Sequence, residues 1–584
     1  MSYELKIKAG TIVDGSGGEP YVADVGVRDG RIVEIGKLSG AATREIDAAG
    51  ALVTPGFVDV HSHYDGQVSW DDQIAPSSWH GVTTSIMGSC GVGFAPVHPE
   101  DRERLIALME GVEDIPGSAL AEGIQWGWST FAEYLDVLSK TPRLIDVGAV
   151  VPHDALRVFA MRDRALVGKD AEPEDLERMQ LELRAALDAG AFGFSTGRTD
   201  NHRARDGSAT PSADATLREL TALASVFRGR TSGVLQAVSD FDMSVARERF
   251  DPEFDLLEAM AESAGRPLSI SVMQRNLDSE QWRRIFERIS KANERGLRMK
   301  GQVAPRGIGV LLGLEATFHP FMGFPSYKAV SHLPLAERVV ELSRPEVKAR
   351  MLTETSERVA GDGSSVPPMA DQLLANIDFV CLSLFRLTDD PNYEPSRDQS
   401  IFGEAMRRGV SPLSAVYDAL LEDGGRNFLY FPIYNYATGS LDEVSEMLHH
   451  PHAMLGLADG GAHVGTICDA SFPTFLLTHW VRDRGRGGFA IQDAVKMLTA
   501  TTADWMGLTD RGRIEVGRRA DLNIIDLPRL KLRRPRLVRD LPASGARFLQ
   551  PVDGILATTV LGQVIREAGA TTDLRPGRIL RAKA

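Results

Sequence analysis

Two histidines one residue apart close an apolar run, Pro55-Gly56-Phe57-Val58-Asp59-Val60-His61-Ser62-His63. In an extended strand residues i and i+2 lie on one side, so both imidazoles can reach a single ion such as zinc. The competing reading is a pair of ordinary hydrogen-bonded histidines at a strand exit. Asp459 follows the apolar run 453–457, which puts a carboxylate at the end of a late strand, and Gly460-Gly461 lets the chain turn away behind it. His463, four residues on in the same glycine-rich turn, can orient a substrate or contact Asp459. Gly193-Phe194-Ser195-Thr196-Gly197 fits the G-x-S-x-G pattern of a nucleophile elbow. An elbow needs a helix behind it, and here a polar stretch, Arg198-Thr199-Asp200-Asn201-His202, follows instead. Ser195 is therefore read as part of a substrate-facing loop, and His202 as a residue of a polar loop away from any metal. His449, His450 and His452 precede the late strand, at the wrong end of it for catalysis, and are read as surface residues. The glycines Gly88, Gly91 and Gly93 lack the Lys-Ser or Lys-Thr that a phosphate-binding loop requires.

The elements that must position these groups fall into two textures. Strand-like runs at 82–87, 143–150, 232–237, 268–273, 379–384 and 453–457 alternate with helical stretches. One helix is predicted over 174–189, where Leu176, Met179, Leu183 and Leu187 recur every three to four residues; others are expected over 217–227 and 280–295. Alternation of this kind implies parallel strands covered by helices, and the count is nearer a closed (β/α) barrel than a single Rossmann unit. Short strand-like runs broken by Gly and Asp fill the first fifty residues and return after Gly512, which suggests one small β domain assembled from both termini. The resulting expectation is an α/β chain: residues 1–54 and 506–584 form a β-sandwich domain, and 55–505 a metal-dependent (β/α)8 barrel. The Pro-, Gly- and Phe-rich stretch 307–372 breaks the rhythm and is expected to be a lid or insertion.

Composition narrows the functional classes. The 584 residues carry 65 Lys+Arg against 80 Asp+Glu, a net charge of -15, which argues against a general nucleic-acid binder dependent on phosphate neutralisation. Three cysteines, Cys90, Cys381 and Cys468, cannot make a disulfide framework for so long a chain, so a reducing compartment is expected. With no signal-peptide pattern and no uninterrupted apolar stretch of membrane-spanning length, a cytoplasmic protein acting on a small molecule, free of membrane and nucleic acid, is expected, with homo-oligomerisation left open.

Several segments together carry a resemblance: PGFVDVHSH, the SCG at 89–91, the GFSTG at 193–197, the LADGGAH at 457–463 and GRIEVGRRADLNIID near the C-terminus. The chain resembles, over nearly its whole length, the N-acyl-D-amino-acid deacylases (D-aminoacylases) of the amidohydrolase superfamily. The resemblance implies zinc held by His61, His63 and Cys90, the thiolate standing where many relatives have a carboxylated lysine, and it gives Asp459 to the metal and to proton transfer. It implies hydrolysis of a linear N-acyl amide by metal-bound hydroxide; a cyclic amidase of hydantoinase or lactamase type, or an esterase-like hydrolase, would use the same chemistry, and a non-catalytic scaffold is the reading from outside enzymology. The chain departs from the pattern in two places. His202 is the only histidine between His153 and His319, and the strand-like runs that should supply two more ligands end in Leu235-Gln236 and Met273-Gln274. One tightly bound zinc is therefore expected, with Gln236 and Gln274 as hydrogen-bonding groups of the pocket. The arginine that meets the substrate carboxylate in relatives has no counterpart after Asp459, so substrates lacking a free carboxylate are expected to be tolerated; the competing reading gives the carboxylate to Arg198 or Arg306. Phe94, Phe318, Phe321, Tyr434 and Tyr436 are candidates for an apolar pocket wall.

Overall fold

The structure, a computed structural model, describes residues 2–241, 247–359, 371 and 374–583. Eight short strands run parallel in chain order: Phe57–Ser62, Val82–Met87, the interrupted pair Asp146–Ala149 and Val151–Pro152, Gly193–Arg198, Val234–Ser239, Leu268–Ser271, Met299–Val303 and Ala453–Leu455. The first three pair side by side, as do the third to the eighth. The ring closes where Ser62 bridges Gly460 in parallel and the His63 N–H donates to the Gly460 carbonyl at 2.8 Å. Helices cover the outside, as strands buried on both faces require. Pro173–Asp188 turns Leu176, Met179, Leu183 and Leu187 inward, and Leu217–Ser225, Phe250–Ala264 and Gln281–Glu294 fill the next crossovers.

After the seventh barrel strand the chain makes a long excursion. Ile308–Leu312 pairs antiparallel with Leu429–Tyr434, which also takes up Phe385–Arg386, and this unit buries its own core of Phe318, Phe321, Phe324, Tyr417 and Leu429. The expected insertion at 307–372 is thus the first half of an excursion that returns only at Tyr434; residues 360–370, 372 and 373 lie outside the described residues. The run 379–384, expected as a barrel strand, is a helical turn, Ile377–Val380, followed by the 3-10 turn Cys381–Ser383 inside this unit. A short apolar run is equally compatible with a strand and with a buried helical segment, and here tertiary packing chose the helix.

Both termini build one nine-stranded mixed sheet. Leu52–Pro55 is inserted between Tyr3–Ile12 and Leu522–Ile525, and Leu5, Ile7, Val25, Val53, Leu522 and Ile524 share its core. The last residues return under the barrel, where Gly577 bridges Arg143 and the Leu580 N–H donates to the Val147 carbonyl at 2.7 Å. Among the described residues no helix is long and apolar enough to cross a membrane.

Candidate active site

The C-terminal end of the first barrel strand delivers His61 and His63 together, as their spacing demands. His61 Nε2 lies 3.2 Å from Cys90 Sγ and 3.2 Å from Asp459 Oδ1, and His63 Nε2 lies 3.6 Å from the same oxygen. His61, His63 and Cys90 form a metal-ligand cluster, their donor atoms all within 4.8 Å of one another. The histidines are 3% and 1% exposed, whereas Asp459 keeps 14%, enough to face a small molecule in the adjoining cavity.

Local backbone chemistry explains how the other two ligand candidates arrive. Cys90 sits at φ 57° between Gly88 at 89° and Gly91 at 84°, a left-handed turn for which glycine flanks are needed. A Cβ on Gly91 would stand 2.6 Å from the Gly197 nitrogen, and one on Gly197 would stand 2.4 Å from the Cys90 carbonyl, so the turn lies directly on the fourth strand. Ser195 holds it there: its hydroxyl donates to the Gly88 carbonyl and accepts the Gly91 N–H at 3.1 Å. Asp459 has φ 47° and His463 48°, so the loop after the eighth strand is strained on either side of Gly461.

Gln302 sets the tautomer of His61 from outside the cluster, and Glu113 stands close to His63. The Gln302 Oε1 accepts from His61 Nδ1 at 2.8 Å, and Gln302 Nε2 in turn donates to Ser269 at 2.8 Å, fixing which way the amide points. Glu113, 1% exposed, faces His63 Nδ1 at 3.2 Å and His463 Nε2 at 3.4 Å. The Gln302 bond fixes the His61 tautomer, and the Glu113 carboxylate, close to His63 Nδ1 though not hydrogen-bonded to it, favours the same one in His63; the Nε2 of each ring faces the space shared with Cys90 and Asp459. That space fits a metal ion. Tetrahedral zinc, with bonds of roughly 2.0–2.3 Å, sets its ligands about 3.3–3.8 Å apart, close to the spacings here. Asp459 Oδ1 is buried with no hydrogen-bond donor. Burial works against a charge on His61, yet Cys90 and Asp459 raise its pKa to about 9. Burial likewise opposes the Asp459 anion, and His61, His63 and His463 nonetheless hold it well below the usual carboxylate range. The pocket of thiol and carboxylate therefore draws positive charge to one point.

A cavity of about 160 Å³ opens beside the cluster, with Val112, Val238, Met273, Ile308, Val310 and Ile433 on its apolar wall. Of the aromatic candidates only Tyr434 lines it; Phe94 and Tyr436 are barrel core, and Phe318 and Phe321 belong to the excursion's own core. Of the other residues expected to meet substrate, His463 lines the cavity and five do not. Ser195 is strand backbone support, not a loop hydroxyl. Gln236 lies deeper in the barrel, donating to the Val60 carbonyl at 2.9 Å, and Gln274 accepts the Ala437 N–H at 3.0 Å. Val238, on the same strand face as Gln236 but two residues nearer the open end, lines the cavity instead, as does Met273 beside Gln274. Arg198 is clamped by Glu253 at 2.6 and 3.0 Å, and Arg306 is spent on Asp469 at 2.8 Å, 2% exposed.

Two residues not expected at the substrate, Arg275 and His202, line the cavity. Arg275 is the one lysine or arginine lining the cavity among the described residues; its NH2 donates to the Ser239 carbonyl at 2.7 Å, while its buried Nε has no partner. His202, read as remote, lines the cavity with a buried, unpartnered Nδ1, and burial lowers its pKa to about 4, so it is neutral. Its loop is tied across the cavity by Asn201, whose amide donates to the Tyr434 hydroxyl at 2.7 Å. Glu113 and Gln302 carried no sequence signal: each is a single polar residue in an otherwise ordinary segment.

A parallel eight-stranded barrel with an imidazole, thiol and carboxylate cluster at the C-terminal end of its strands defines a metal-site barrel. The profile of the amidohydrolase family matches residues 44–566, and the chain belongs to that family. It is 29% identical to an uncharacterized protein of Mycobacterium tuberculosis, over 90% of this chain and 85% of that one. It is 26% identical to a D-aminoacylase of Alcaligenes xylosoxydans xylosoxydans, over 99% and 97%. A solved D-aminoacylase, described as having a binuclear metal centre with one-metal activation and second-metal attenuation, superposes with a TM-score of 0.65 at 22% identity, covering 99% of this chain and all (100%) of that one. It shares the fold.

Proposed function

We propose that this chain is a zinc-dependent amidohydrolase cleaving a linear amide, most simply an N-acyl-D-amino acid or a related N-acyl amide. The observation that carries this reading is the His61, His63, Cys90 and Asp459 constellation, with donor atoms of types suited to zinc, beside a cavity of small-molecule size. Zinc, when held by His61, His63 and Cys90 with Asp459 beside it, would supply the positive charge that polarises a carbonyl and acidifies water. Asp459, whose Oδ1 has no other donor, would take the proton from the attacking water and hand it to the leaving nitrogen. Arg275 offers its free Nε to a substrate carboxylate, a role for which neither Arg198 nor Arg306 is placed. His463 and His202 would hold polar substrate atoms from the opposite side. One ion is proposed, because Val238 and Met273 stand at the cavity where further imidazoles would be needed. In this reading residues 55–505 carry the reaction and the domain of 1–54 with 506–584 braces the barrel. A thiolate ligand suits a reducing, cytoplasmic setting.

Metal analysis of the purified chain, followed by single alanine variants of the four residues assayed on linear N-acyl and cyclic amides side by side, tests this. Bound zinc and activity lost together in each variant are expected; an H61A protein with full activity and no zinc would sink the proposal, and a preference for the cyclic amides would move it to ring opening.

A further inference from the structure

At the opposite end of the barrel from the histidines, where the strands begin, lies an open cleft of about 810 Å³. Four parts of the molecule form it: the residues leading into the fourth to seventh strands, the turn at 504–511, the C-terminal stretch at 578–583, and Arg31 from the terminal sheet. In a chain of net charge -15 the cleft gathers, among the described residues, seven cationic side chains against two carboxylates, Asp504 and Asp510. Both carboxylates are already neutralised. Arg513 grips Asp504 with two hydrogen bonds, at 2.8 and 2.5 Å, and Arg511 holds Asp510 at 2.9 Å.

Of the other cations, Arg581 pairs with Asp136 at 2.6 Å and Arg31 donates to the Gly517 carbonyl at 2.7 Å, but three arginines keep most of their donors free. The guanidiniums of Arg298 and Arg578 have no hydrogen-bond or ion-pair partner among the described residues, and Arg266 uses only its Nε, on the Gly233 carbonyl at 3.0 Å. Burial, and next to it the charge of Arg298, hold the Arg266 pKa below its ordinary value, so these two guanidiniums repel each other across the cleft wall. Thr231 and Ser232 add hydroxyls to the same wall, and the nearby Trp505, 7% exposed, has a buried indole N–H without an acceptor. Arginines on an ordinary solvated face interleave with carboxylates, as they do along the Gln281–Glu294 helix, where Arg288 alone meets Asp251, Asp255 and Glu258. Among the described residues no carboxylate lies within ion-pair distance of the Arg266, Arg298 or Arg578 guanidiniums.

We infer that this cleft binds a small polyanion bearing two or more linked phosphate groups, gripped by the Arg266, Arg298 and Arg578 guanidiniums. Planar N–H forks suit phosphate oxygens, and the volume falls within the range of small-molecule sites. The site is independent of the amide chemistry at the other end of the barrel.

Calorimetric titration of the full zinc-loaded chain with pyrophosphate, tripolyphosphate and ATP tests it, with orthophosphate as the single-phosphate reference. Pyrophosphate and tripolyphosphate should bind more tightly than orthophosphate, with affinity falling as salt is raised. R298E, at an exposed position, and the R266A/R298A pair should each weaken tripolyphosphate by about tenfold or more, the loss expected for a charge-assisted fork. Binding should survive H61A, which removes a zinc ligand. ATP tighter than tripolyphosphate would identify a nucleotide as the source of the phosphates, and equal affinity a plain phosphate chain; both uphold the site. No binding by the wild type, unchanged affinity in a folded R298E, or loss of binding in H61A would overturn it.

Discussion

Gln302 offers the sharpest test of how this site is held. Its Oε1 is the acceptor for His61 Nδ1 at 2.8 Å, and its Nε2 is pinned by Ser269 at 2.8 Å, in a barrel interior where Gln302 is 1% exposed. Gln302→Leu keeps the volume and deletes the acceptor. The His61 Nδ1–H is then left buried and unpaired, which costs about 1–3 kcal/mol, or the ring flips its proton to Nε2 and loses its lone pair for the metal. Either route should weaken zinc by roughly 10- to 100-fold, about 1.4–2.7 kcal/mol. Competition with a chromophoric chelator near neutral pH reads this directly, and thermal unfolding of the metal-free proteins checks that the fold is intact. Gln302→Glu restores an acceptor and should recover most of the affinity. A folded Gln302→Leu protein with wild-type zinc affinity would show that His61 needs no such partner and would refute the reasoning.

Glu113→Gln should act in the same sense through His63 and His463, weakening zinc by about tenfold because a carboxylate backing an imidazole is replaced by a neutral amide; chelator competition again reads it. Arg275→Met should raise KM for an N-acyl amino acid by about 10- to 100-fold while leaving its uncharged carboxamide nearly unchanged, since a buried carboxylate would lose its charged donor; equal effects on the two substrates would place the carboxylate elsewhere. Asp459→Asn should retain much of the fold and lower kcat by about 10²- to 10⁴-fold as the proton acceptor is lost, read in a steady-state amide assay. His80, fully buried between Thr474 and the Gln550 carbonyl, has its pKa lowered to about 3 by burial. The unfolded chain therefore binds a proton that the folded chain refuses between about pH 6.5 and 3, and stability should fall with falling pH through that window by about 1.4 kcal/mol per unit from this group. Urea melts across that range should be correspondingly shallower in pH dependence for His80→Asn.

Local pattern made much of this protein legible. The i, i+2 spacing of His61 and His63 and the strand period of two put both rings on one side before any coordinates, because that geometry belongs to the strand itself. The helix over Pro173–Asp188 and the shared terminal sheet were readable for the same reason: periodicity and turn residues act over a few positions. What lay beyond was decided by contacts between residues hundreds of positions apart. Whether Gln236 or Val238 reaches the cavity depends on how deep in the barrel each lies, and Arg198 was lost to Glu253 of the Phe250–Ala264 helix, a meeting that no local pattern gives. Glu113, Gln302, His202 and Arg275 reach the site only because the closed ring brings the loop after the second strand, the seventh strand, the loop after the fourth and the end of the sixth to one opening. A single buried polar residue carries no period and no motif; its meaning comes from the group it meets, and only the tertiary structure decides that meeting.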